Sequence, residues 1–318
     1  MNSLEQLKQY TTVVADTGDF ESIKKYEPRD STTNPSLIFK AAQDPKYKHL
    51  VDDAIVYARK QKGDLKQKAQ HGLKKAAVNF GREILKIVPG RVSTEVDARL
   101  SFQIYETISY AKQLIRMYEK EGFSSDRILI KVAATWEGIK AAEILEKEGI
   151  HTNLTLIFSK AQAIASAQSG VKLISPFVGR VYDWYKKEWG VDHIPATEDP
   201  GVKLVTNIFN HFKKFDYNTE IMGASFRNKE QIIELAGCDL LTISPALLEE
   251  LKESDIKITK KLDAEKAKEM ELKNITYNEM EFRWAMNEDL MATYKLSEGI
   301  RLFSNDLRNL EKYILERL

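Results

Sequence analysis

The chain has 318 residues, with 48 Lys+Arg against 47 Asp+Glu and a formal net charge of +1, a balance that argues against a dedicated nucleic-acid binder. Hydrophobic residues at 43% and charged residues at 30% suit a large core under a well-solvated surface and exclude disordered and collagen-like classes. No run of about 18 apolar residues is present to span a bilayer, the single Cys238 has no intrachain disulfide partner, and the opening MNSLEQLKQY lacks an apolar signal core, so a cytoplasmic protein with no membrane role is expected.

From residue 10 to about residue 245, short β-rich runs alternate with longer stretches of helical period. The runs are TTVVAD (11–16), DSTTN (30–34), RVSTEVDA (91–98), RILIKVAA (127–134), HTNLTLIFS (151–159), VKLISPFV (171–178), EIMGASF (220–226) and CDLLTIS (238–244). Eight strands, each followed by a helix, is the count of a closed (β/α)8 TIM barrel, with an open doubly wound sheet as the alternative. The runs at 127–134 and 151–159 are nearly all apolar, as strands covered on both faces should be.

The segment from Pro35 to Pro89 is longer than one crossover needs and predicts two or three extra helices after the second strand. Pro35, with its fixed φ and missing donor, suits the first turn of the first of them. Beyond the eighth strand, Pro245 starts another helix, and Lys257 to Lys273 reads as a solvated face or mobile loop. Between Leu290 and Leu318, Ile300, Phe303, Leu307, Leu310 and Ile314 recur at spacings of three and four, an apolar stripe that must dock on the barrel or on a partner. With no solenoid repeat and no linker, one domain over 1–318 is expected, including a C-terminal helix over 290–318.

Metal and nucleotide signals are missing: His49, His71, His151, His193 and His211 form no pair at ligand spacing, and neither GxxxxGK[ST] nor GxGxxG occurs. The basic stretch Arg59 to Lys75 has no interleaved aromatics and reads as a solvated helix face. The sequons at Asn153 and Asn274 read as accidents, and Cys238 as a packed thiol.

Lys131 lies in an otherwise apolar strand, Ile-Leu-Ile-Lys-Val-Ala. Desolvation penalises an ammonium, and a free amine in a dry pocket attacks carbonyl carbon. The bland alternative is a lysine that snorkels out at the strand end or pairs with a carboxylate. Other polar residues recur near the carboxyl ends of the strands, where barrel enzymes place their sites: Asp16, Asn34, Glu95, Asn153, Thr155 and Ser175. Singly, such residues mostly cap helices or make turns. Arg180 after Phe-Val-Gly and Arg227 after Gly-Ala-Ser-Phe sit beside small residues and suit a phosphate, with a surface ion pair as the competing reading.

The segments Asp30-Ser-Thr-Thr-Asn-Pro-Ser-Leu-Ile38 and Ile128-Leu-Ile-Lys-Val-Ala-Ala-Thr-Trp-Glu-Gly-Ile139 closely resemble the two signature motifs of transaldolases, and QYTTVVADTGD, GRVSTEVDARLS, NLTLIFS, ISPFVGRVYDWY and MGASFRN follow that family in the same order. The resemblance covers essentially the whole chain. It implies a (β/α)8 barrel of the class I aldolase type, without cofactor or metal, that moves a dihydroxyacetone unit from a ketose phosphate such as sedoheptulose 7-phosphate or fructose 6-phosphate to an aldose phosphate in the pentose phosphate pathway. It further implies Lys131 as the Schiff-base lysine, Asp16 as the acid/base on the substrate hydroxyl, and Glu95 as a partner acting through a water that Thr155 orients. Asn34, Asn153, Thr155, Ser175 and Phe177 would surround the three-carbon fragment, Thr33 would also bind substrate, Arg180, Ser225 and Arg227 would hold phosphate, and the chain would form a homodimer. One departure is Ala134, where family members commonly carry serine. Two rivals remain: a fructose 6-phosphate aldolase releasing free dihydroxyacetone, in which Glu95 and Phe177 would be unexpected, and a non-catalytic barrel that only binds sugar phosphates.

Overall fold

Eight parallel strands pair in sequence order and close, the last on the first: β1 (Thr12–Asp16), β2 (Asp30–Thr32), β3 (Val92–Glu95), β4 (Ile128–Ala133), β5 (Thr152–Ile157), β6 (Leu173–Pro176), β7 (Glu220–Gly223) and β8 (Leu240–Ile243). The computed structural model describes residues 1–318. Every strand falls inside one of the eight runs read from the sequence, so the expected (β/α)8 barrel is the fold and the open sheet is not.

Because side chains alternate along a strand, each strand sends every second residue inward. Val14, Leu129, Leu173, Met222 and Leu240 meet inside the barrel as a buried apolar floor. Two residues further along the same strands come Asp16, Lys131, Ser175, Ala224 and Thr242, all lining one cavity at the carboxyl ends. The floor therefore separates the polar layer from the other end of the barrel. That end is lined by charge: Arg91 pairs with Asp30 at 2.9 Å and with Glu220 at 2.8 Å.

Three helices occupy the long segment after β2, at Pro35–Ala42, Lys48–Arg59 and Leu65–Leu85. Asn34 is the N-cap of the first, its side chain accepting from the Leu37 N–H at 2.9 Å, and Pro35 takes the first helical position as expected. These helices would leave an apolar face bare. The C-terminal helix, Leu290–Leu315, covers it: Leu307, Leu310 and Ile314 pack against Ile38, Leu50, Leu73 and Phe80. Side-chain bonds from Ser36 to Asp306 and from Arg99 to Glu311, the latter at 2.7 Å, fix this helix across the barrel mouth. Of the two destinations open to the apolar stripe, it takes the barrel.

The same helix also needs Gly299. A Cβ there would stand 2.6 Å from Leu156, which projects from a register shift in β5 with φ of 56°. The stretch 257–273 is held more firmly than a solvated face or mobile loop. Ile258, Leu262 and Ala267 are buried, and the Lys261 and Leu262 N–H groups donate to the Ala236 carbonyl at 2.8 and 3.0 Å. No helix is long and apolar enough to cross a membrane.

Candidate active site

The cavity above the apolar floor has a volume of about 330 Å³ and is walled by strand ends, by the start of the helix Val178–Glu188 and by Phe303 of the C-terminal helix. Lys131 emerges from β4 into this cavity and is 5% exposed. Its register partners are Glu95 on β3 and Asn153 on β5, which is why an amine, an acid and an amide meet at one level. Lys131 Nζ lies 3.4 Å from Glu95 Oε2, an ion pair without a well-formed hydrogen bond, and the Phe303 ring stands 5.8 Å from the amine. The snorkelling alternative is thereby removed, whereas the pairing with a carboxylate is real.

The two acids are both buried. Burial pushes the Asp16 carboxyl above its ordinary range, opposed by the Lys131 charge, a hydrogen bond from Thr32 and the Arg180 charge. Burial likewise raises Glu95, against Lys131 and Arg180, while Asp16 adds to the rise. Asp16 lines the cavity; Glu95 lies behind the lysine and reaches the cavity only through it. Beside them, Thr155 faces the cavity with a buried hydroxyl that has no partner.

Asn153 is fully buried and donates to Ser93 Oγ at 3.0 Å while accepting from Ser175 Oγ at 2.7 Å. Its amide thus orients Ser175, which lines the cavity, and does not itself line it. Asn34 offers its NH₂ group to the cavity because its oxygen is engaged as the helix cap. Thr33 is buried with its hydroxyl on the Ser93 carbonyl at 2.9 Å and stands outside the cavity wall.

Arg180 is clamped between two rings, with its guanidinium 5.0 Å from Phe177 and 5.5 Å from Phe303. Its Nη1 is buried without a hydrogen-bond partner, and the residue lines the cavity. Burial and the neighbouring Arg227 both lower the Arg180 pKa. Arg227 lines the same cavity but is already engaged by Asp183 at 2.6 Å, and it donates weakly to Ser225 Oγ at 3.4 Å. The surface ion pair weighed for both arginines is present for Arg227 alone. Gly179 makes the cluster possible: its N–H donates to the Ser225 carbonyl at 2.6 Å, and a Cβ there would stand 2.1 Å from that oxygen. Ser225 itself adopts a left-handed φ of 62°.

Among the cavity residues outside the set read from the sequence are Thr32, Ser36, Thr242 and Phe303. For Thr242 the signal is present in Leu240-Leu241-Thr242, where an inward leucine is followed two positions on by a hydroxyl. Phe303 belongs to the apolar stripe, and nothing local distinguishes it from its core neighbours. Elsewhere, the Cys238 thiol is fully buried, donates to the Ile221 carbonyl at 3.3 Å and is pushed up to about 12 by burial, as a packed thiol should be. No three His, Cys, Asp or Glu side chains gather closely enough to hold a metal ion.

A family model described as transaldolase/fructose-6-phosphate aldolase matches residues 13–314. Among curated proteins, a transaldolase of Shewanella loihica is 58% identical over 317 residues, covering 100% of this chain and 99% of that protein. A transaldolase of Acidobacterium capsulatum is 57% identical, with 99% and 95% covered. A probable transaldolase of Dictyostelium discoideum is 56% identical, with 100% and 99% covered.

Proposed function

Because the chain belongs to the transaldolase/fructose-6-phosphate aldolase family, we propose that its barrel mouth transfers a dihydroxyacetone unit between sugar phosphates through Lys131. The single observation that carries this is a buried amine on β4, beside one buried acid and sharing a cavity with another.

Lys131 attacks the ketone of a ketose phosphate, and loss of water gives an iminium. Glu95 takes and returns the protons of that step through a water, which the unpartnered Thr155 hydroxyl orients. Asp16 then removes the proton from the hydroxyl beta to the iminium. The adjacent carbon–carbon bond breaks, its electron pair passes into the iminium to give an enamine, and a phosphorylated aldehyde leaves. Asn34, Ser175 and Phe177 hold the retained three-carbon unit, with Asn153 fixing Ser175. Arg180, Ser225 and Arg227 hold the phosphate. The enamine next attacks an incoming aldose phosphate, Asp16 returns its proton to the new alkoxide, and hydrolysis of the iminium frees the product. Transfer is favoured over the aldolase reading because the full-length relatives are transaldolases. A cytoplasmic location and a homodimer are part of the proposal; exposed Met280 and Trp284, on one face of the helix Glu279–Glu288, support a partner surface.

Borohydride reduction in the presence of fructose 6-phosphate, followed by digestion, should place a dihydroxyacetone-derived mass on Lys131 alone. Label elsewhere overturns the assignment. Asp16→Asn should still be trapped on Lys131, but as the adduct of the uncleaved ketose phosphate, while losing about 10²- to 10⁴-fold in turnover, the range for removal of a general base.

A further inference from the structure

Asp16 receives only one protein hydrogen bond, from Thr32 Oγ1 at 2.9 Å. Thr32 is its register partner on β2, so the two side chains stand side by side. The same Thr32 oxygen lies 2.9 Å from Thr242 Oγ1 on β8, the strand on the other side of β1. Both threonines are buried and both line the cavity.

A hydroxyl has one proton, and an ionised carboxylate can only accept. Thr32 must therefore give its proton to Asp16, and Thr242 must give its own to Thr32. We propose that Thr242 and Thr32 form a directed hydroxyl relay that positions Asp16 as the base of the cleavage step. The relay has a second consequence. With Oδ1 occupied by the Thr32 donor, a proton taken from substrate is best carried on Oδ2, which has no protein partner, and from there it can return to the new alkoxide. Thr32 and Thr242 act through Asp16 and are positioning residues. Chains of this kind strengthen each bond by polarisation, so loss of the distal hydroxyl should be felt at the carboxylate.

This inference rests on the reaction proposed above, and its test keeps the two apart. The charged groups around Asp16 are Lys131 from β4, Glu95 from β3 and Arg180 from the helix after β6; all are unchanged in the variants. Thr32→Val, Thr242→Val and the matching serine variants are compared by borohydride trapping, by KM, and by the pH profile of kcat. The valine variants should trap Lys131 as the parent does and keep KM within about twofold. The acid limb of kcat should move to higher pH, by about one unit for Thr32→Val and about half a unit for Thr242→Val, the span of a lost charge-assisted hydrogen bond and of its polarising neighbour. Serine should restore the parent profile at both positions. An unmoved acid limb in both valine variants, or serine behaving as valine does, overturns the relay. Failure of the parent to trap any adduct overturns the reaction instead. Should Thr242→Val fold poorly, Thr242→Ala gives the same readout.

Discussion

His211 shows how burial acts on a titratable group that the reaction leaves alone. It is fully buried on the helix Pro200–Lys214, with neither ring nitrogen hydrogen-bonded and the Phe215 ring 4.7 Å away. Burial, with a smaller push from the Lys160 charge, lowers it to about 4 from 6.5. The unfolded chain then binds a proton that the native state refuses between those two values, so stability is complete above the higher one and falls as pH drops toward the lower. The loss is on the order of 2–3 kcal/mol and stops below the native value. Urea unfolding at pH 7, 5 and 4 should show this slope, and His211→Leu should remove it. Asp16 and Glu95 carry the opposite sign, since burial raises a carboxyl: they stay protonated in the native state to higher pH, and their ionisation costs stability as pH rises. At this scale Lys131 was legible because a lysine in an apolar strand has few innocent explanations, and Asp16 because it ends a strand. Thr32 and Thr242 were not, since a threonine in a strand is ordinary and their meaning lies in a contact across strands.

Among the elements, the strands were the most legible, because their period and the turn residues between them are local properties. The extra helices after β2 followed from segment length. The C-terminal helix announces its amphipathicity but not its partner, because a stripe records how much surface must be covered and not which surface does the covering. Its placement gives it work in the site: Phe303 closes the wall over Lys131 and braces Arg180. In the proposed reaction an enamine awaits an aldehyde, and water admitted beside it would hydrolyse the adduct to free dihydroxyacetone. Phe303→Ala should therefore raise the ratio of free dihydroxyacetone released to acceptor-dependent transfer several-fold, while Lys131 still traps. An unchanged ratio would remove Phe303 from this role. The stretch 257–273 hides its anchoring for a related reason: its charge alternation is real, but three buried apolar residues among the lysines are enough to tie it down.

For the molecule as a whole, the two barrel ends are lined by different side chains, an ion cluster around Arg91 at one and the Lys131 cavity at the other, with a leucine- and methionine-containing floor between. Nothing in a single strand's sequence says which end will hold the chemistry; strand direction does, because all eight run parallel and deliver their last residues to one rim. The outer surface carries Met280 and Trp284 four residues apart, 75% and 61% exposed. Sedimentation equilibrium should return twice the chain mass of 36.4 kDa, and Trp284→Glu should shift it toward one chain by placing a charge in a desolvated contact.

The wall contributed by Phe303 is encoded well after the last barrel strand, which ends at Ile243. A ribosome can thus deliver every strand, and the hydrogen-bonded cylinder can form, before the helix that seals its rim has emerged. During that interval the Lys131 amine faces a pocket without its Phe303 wall. On the proposed reaction, competence arrives only with that roof, and the rim is the last part of the site to be made.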